Sequence, residues 1–87
     1  MGYRVGEVQA TPNPNAAKFV LDRTITDQPA SFFNCEAAKG HPIAARLFEI
    51  TGVTSLLLLG DFVTVNKQAD AKWSTIKPQV KKVLASA

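Results

Sequence analysis

GVTSLLLLGDFVTVNK, from Gly52 to Lys67, is the stretch whose reading decides the fold. Two strand-like runs meet at Gly60 and Asp61, and Gly followed by Asp is a favoured two-residue hairpin loop because glycine takes φ > 0 without a Cβ clash. A loop that short also sets the register. Leu59 opposes Phe62, Leu58 opposes Val63, Leu57 opposes Thr64, Leu56 opposes Val65 and Ser55 opposes Asn66. Side chains alternate between the two faces of a strand, so Leu56, Leu58, Val63 and Val65 collect on one face. Leu57, Leu59 and Phe62 collect on the other, near the turn, and that face grades to Ser55, Thr64 and Asn66 away from it. The first face reads as core. The second reads as a half-exposed apolar patch, either a partner surface or a surface covered by another segment, and a one-residue slip exchanges the two.

On the N-terminal side, Tyr3 to Ala10 alternates as a first strand and Ala17 to Asp22 as a second, with Ala17, Phe19 and Leu21 on one face. Thr11-Pro12-Asn13-Pro14-Asn15 joins them as a stiff turn, since proline fixes φ and asparagine supplies side-chain acceptors. Arg23 to Ala30 is polar and ends in Gln28-Pro29, so it reads as a loop leading into a short extended piece, Ser31 to Asn34. Pro42 marks the first residue of a helix, because its missing N–H is unpaired at that position anyway. Ile43, Leu47 and Ile50 form that helix's apolar stripe, widened by Ala44 and Phe48, and Gly52 closes it. Beyond the hairpin, Asp70 reads as the N-cap of a second helix with apolar positions Trp73, Ile76, Val80, Val83 and Leu84. Pro78 lies inside it, removing one backbone bond and crowding the carbonyl of Ser74, so a kink is expected there. The elements combine into an α+β fold, a two-layer sandwich of one antiparallel sheet with both helices packed on one face.

Eighty-seven residues are read as a single domain spanning 1–87, one that buries only about 60% of its unfolded surface and so needs one compact core. With 46% hydrophobic and 20% charged residues it lies outside the compositional range of disorder. The longest apolar run, Leu56 to Leu59, is far too short to span a membrane, and Met1 to Arg4 lacks the apolar core of a signal peptide. A lone cysteine, Cys35, cannot form an internal disulfide and suits a reducing compartment, so a cytoplasmic location is expected.

Chemistry-bearing groups are sparse. Cys35, Glu36 and His41 form the one grouping that resembles a nucleophile with a base, and nothing in their spacing sets a geometry, so no catalytic residue is assigned and the chain reads as non-enzymatic. One Cys and one His fall short of the four ligands of structural zinc or an iron–sulphur cluster, so no metal or cofactor is assigned. His41, before Pro42, reads as a helix-entry residue. No glycine-rich phosphate loop exists, since Gly40, Gly52 and Gly60 are widely separated. The net charge of +3 thickens only at Lys72, Lys77, Lys81 and Lys82. Lys77 and Lys81, at i and i+4, read either as a solvated helix face or as a dock for an acidic partner. The aromatics that stack on nucleic acid are not interleaved with these lysines, so the expected partner is a protein.

Several segments together resemble the N-terminal domain of Nfu and NifU-like iron–sulphur scaffold proteins: TPNPNAAKF from Thr11 to Phe19, HPIAARLFEITGV from His41 to Val53, DFVTVNK from Asp61 to Lys67, and the spacing of Trp73, Lys77 and Pro78. The resemblance implies a compact α+β domain that in longer relatives precedes a second domain, whose Cys-x-x-Cys pair assembles a cluster between subunits. This chain has no Cys-x-x-Cys, so it reads as a stand-alone form without the cluster site. The family's first domain implies protein contacts and modulation of the cluster-bearing domain. Asn13, Asn15, Asp61, Phe62, Thr64, Lys67 and Trp73 stand at family signature positions. The expected function is a non-catalytic interaction module accessory to iron–sulphur cluster assembly, recognising a scaffold or client protein. Its surface is expected to be the outer hairpin face, Leu57, Leu59, Phe62, Thr64 and Lys67, with Asn13 and Asn15 in an adjoining turn. The alternative is a peptide-binding module unrelated to iron, in which an extended segment adds to a free sheet edge.

Overall fold

A computed structural model describes residues 2–87. Five strands and two helices follow in the order β1 (Val5–Ala10), β2 (Ala16–Leu21), β3 (Thr26–Phe32), α1 (Pro42–Phe48), β4 (Val53–Gly60), β5 (Phe62–Lys67) and α2 (Trp73–Ala85). The sheet order is β1-β2-β5-β4-β3, with every neighbouring pair antiparallel.

The β4–β5 hairpin has the register its two-residue loop dictates, from Leu59 opposite Phe62 to Ser55 opposite Asn66. Gly60 has φ +58 and open space where a Cβ would stand, while Asp61 keeps negative φ, the sign pattern of a type II′ turn. The link from β2 to β3 passes over this tip. Leu21 N–H donates to the Asp61 carbonyl at 2.6 Å and Ile25 N–H to the Gly60 carbonyl at 2.8 Å, so the crossing chain clamps the hairpin.

One sheet face carries the core. Phe19, Leu58, Val63 and Val65 are fully buried there against Ala44 and Leu47 of α1 and Ile76, Val80 and Leu84 of α2. Both helices lie on that side, giving the two-layer arrangement. α1 begins where Pro42 permits, and His41 caps it: Nδ1 accepts the Ala44 N–H at 3.2 Å. After α1, Gly52 adopts φ +99, and a Cβ there would stand 2.8 Å from the Ala71 Cβ, so the position needs glycine both for its dihedral and for the close approach of the chain before α2.

Three expectations change. Arg23 to Ala30 is not a loop throughout, because β3 starts at Thr26 and runs to Phe32. Its polar sequence carries no strand periodicity; pairing with the apolar edge of β4 creates the strand, and Pro29 is tolerated because β3 is an outer strand interrupted between Thr26 and Ala30. The extended piece Ser31 to Asn34 splits accordingly. Phe32 packs on the core, Phe33 is 78% exposed, and the Asn34 side chain accepts from the Ala37 N–H at 2.8 Å, opening a turn. The second helix starts at Trp73 with Lys72 as N-cap and no side-chain cap bond, not at Asp70. Gln68 to Ala71 forms a turn instead, closed by the Ala71 N–H on the Gln68 carbonyl at 3.0 Å. The α-helical run of α2 is continuous through Pro78, whose ring sits at the exposed face.

Candidate interaction surfaces

The helices cover one side of the sheet only, so the opposite side meets solvent. Registers across the strands align its residues in rows. At the hairpin tip, Val20, Phe62 and Leu59 stand side by side, and in the next row Lys18, Thr64, Leu57 and Ser31 do the same. Leu59 is 36% exposed, and Val20, Leu57 and Phe62 are half-buried by each other. The result is a contiguous apolar cluster facing outward. The Lys18 ammonium lies 4.2 Å from the Phe62 ring centroid, an exposed cation–π contact that borders the cluster with one positive charge. Beyond it the face turns polar at Asn66 and Ser55, with the small Ala16 beside them.

Val20 and Lys18 belong to this surface although the hairpin sequence does not contain them. Their outward position follows from the inward alternation of Ala17, Phe19 and Leu21. Their place beside Phe62 and Thr64 depends on β2 pairing with β5, across more than forty residues of chain.

Asn13, Asn15 and Lys67 lie elsewhere. The Thr11 hydroxyl sits 2.8 Å from the Asn13 carbonyl and 3.1 Å from that of Ala16, and it accepts the Asn13 N–H at 3.1 Å. The Asn13 side chain in turn accepts the Asn15 N–H at 2.9 Å, so the turn is held by its own polar groups. Lys67, 9% exposed, donates from Nζ to Asn15 Oδ1 at 3.0 Å and to the Gln68 carbonyl at 3.2 Å, with the Trp73 ring 5.7 Å away. Trp73 Nε1–H donates to the Pro14 carbonyl at 3.0 Å, and its ring packs 6.4 Å from that of Phe19. These bonds join the Thr11–Asn15 turn, the end of β5 and the start of α2 into one knot.

From the sequence this turn is expected to adjoin the apolar patch. Phe62 opens β5 and Lys67 ends it, however, so the two groups stand about 17 Å apart along the strand, with Thr64 between them. The seven residues form two places, an open apolar cluster and an internally bonded polar knot, with Thr64 between them.

Cys35 is exposed in the turn after β3, and among the described residues no three His, Cys, Asp or Glu side chains gather as a ligand group. His41 is occupied in capping α1 and stacks edge-on against Phe32 at 5.4 Å. The donor set of this chain, with its single thiol, does not fit an iron–sulphur cluster. Among the described residues no helix is long and apolar enough to cross a membrane.

Comparison with known proteins adds sequence relatives, solved structures and a family match. The chain is 40% identical over 76 residues to a mitochondrial iron–sulfur cluster scaffold homolog of Drosophila erecta, covering 85% of this chain and 27% of that protein. It is 38% identical over 81 residues to a NifU-like protein of Schizosaccharomyces pombe, covering 87% and 30%. The chain thus spans under a third of the length of these curated relatives. Among solved structures, a NifU-like protein from Saccharomyces cerevisiae superposes with a TM-score of 0.82 at 29% identity, covering 98% of this chain and 77% of that one. The protein SAV1430 from Staphylococcus aureus superposes at 0.79 and 25% identity, covering 92% and 96%. The family described as scaffold protein Nfu/NifU N terminal matches residues 7–87, and with nearly the whole chain inside that match, this protein belongs to it.

Proposed function

We propose that this domain is a non-catalytic protein-interaction module accessory to iron–sulphur cluster assembly, and that it meets a scaffold or client protein with the outer face of its sheet. The observation that carries the reading is the cluster of Val20, Leu57, Leu59 and Phe62 on the side the helices leave bare. The names of the relatives, which describe iron–sulphur scaffolds, support the biological setting. Leu57, Leu59 and Phe62 are already partly covered, so closing a partner over them adds only about 0.5 to 1 kcal/mol each, and a complex there draws on the surrounding polar rim as well. With one thiol in these residues, the domain's part in iron chemistry runs through ligands outside it. A single exposed cysteine suits a reducing interior, whether cytoplasm or, as for several relatives, the mitochondrion, and fractionation of the source cells distinguishes them.

The test is affinity capture with the wild-type domain and with a Leu57→Ser, Phe62→Ser double variant. Cluster-assembly proteins captured by the first and lost by the second, with the thermal midpoint close to wild type, support the reading. Equal capture, or a variant that no longer folds, removes the patch as a partner surface.

A further inference from the structure

The edge of the sheet at β1 is a second place where the molecule is open, and it is built differently from the outer face. β1 pairs with β2 on one side only, so its other side presents backbone donors and acceptors. α2 runs alongside in the opposite direction and is tacked down at both ends. Its first residue, Trp73, donates to the Pro14 carbonyl, and near its last turn the Leu84 carbonyl accepts the Tyr3 N–H at 2.7 Å. Between helix and strand lie two depressions. One, of about 260 Å³, is bounded by Val8 to Ala10, Trp73 and Lys77; the other, of about 440 Å³, by Tyr3 to Val5, Lys81 and Ala85. Trp73, Lys77, Lys81 and Ala85 recur every four residues, so one flank of α2 faces the strand along its whole length.

That flank is net positive. Lys77, Lys81 and Arg4 border the depressions against one carboxylate, Asp22, which lines the larger depression and accepts the Arg4 backbone N–H at 3.1 Å, while the Glu7 carboxylate accepts from the Gln9 side chain. Four residues of helix rise about 6 Å, close to the roughly 6.7 Å between alternate side chains of an extended chain. The opposite edge lacks these features, since β3 carries Pro29, which has no N–H to donate, and among the described residues no helix lysines line it.

We infer that the β1 edge binds an extended acidic segment of another protein, which adds as a sixth strand along Glu7–Ala10 and places carboxylates two residues apart against Lys77 and Lys81. The irregularity at Gly6 limits the ladder to those four residues, and the segment continues past it toward Lys81. This surface is separate from the Leu57, Leu59 and Phe62 cluster, so either can fail without the other.

A fluorescein-labelled peptide alternating valine and glutamate tests it by anisotropy, with amide NMR shifts locating the contact. The expected result is binding with shifts at Glu7–Ala10, weakened on the order of tenfold by the double variant Lys77→Glu, Lys81→Glu, which replaces two exposed attractions by repulsions. The same peptide N-methylated at alternate amides is expected to lose binding, a readout that needs no change to the protein. Unchanged affinity in the double variant, undiminished binding of the N-methylated peptide, shifts confined to the outer face, tighter binding of oligothymidylate, or a concentration-dependent dimer through β1 would each overturn the inference.

Discussion

β5 ends in two contrasting places. At Lys67 the charged and aromatic polar groups have internal partners: the ammonium has Asn15, the Gln68 carbonyl and the Trp73 ring, and the Trp73 indole has the Pro14 carbonyl. At Phe62 the chain leaves apolar side chains facing water, bordered by one lysine over a ring. Residues at family signature positions occur at both ends, yet their physical situations differ. Those of the knot hold three elements together, whereas those of the cluster contribute to folding only the partial burial they give one another.

The contrast sets an order of effects. Trp73→Ala removes a large ring from between the turn and Phe19 and is expected to destabilise the fold by about 3 kcal/mol, read as a fall in the thermal midpoint of roughly 12 to 24 °C. Asn15→Ala leaves the buried Lys67 ammonium short of an acceptor; the expected loss is about 1 to 3 kcal/mol in chemical denaturation, and a double-mutant cycle with Lys67→Met should show that the two losses are not additive. At the opposite end, Lys18→Ala deletes one exposed cation–π contact and should cost about 0.5 kcal/mol, with the difference from wild type narrowing as salt rises. If the Lys18 change proved as costly as Asn15→Ala, the division between a structural end and an open end of β5 would collapse.

Both helices and four of the strands are legible because their signals are local. The Gly60-Asp61 loop contains its own register, and Pro42 and Gly52 bracket a helix whose stripe is read at three- and four-residue spacing. β3 is not legible in this way. Thr26 to Pro29 has no alternation, and it is strand only because a β4 edge stands beside it. Asp70 misleads for a related reason: it has the chemistry of a cap, but the position of α2 is set by Trp73 reaching across to Pro14. Of the candidate surface, Leu57, Leu59 and Phe62 follow from alternation, while Val20 and Lys18 join them through the β2–β5 pairing.

Periodicity and turn chemistry, taken alone, determine which side chains share a face of the hairpin, which of its faces enters the core and where α1 begins. Tertiary structure decides which strands become neighbours, and therefore that the Asn15–Lys67 knot and the apolar cluster are separate and that α2 sets a row of lysines beside the free edge of β1. The reason is physical. Dihedral preference and face alternation act over a few residues and are written in consecutive letters, whereas strand order depends on which distant apolar faces bury each other best, and that is settled only when the whole chain packs.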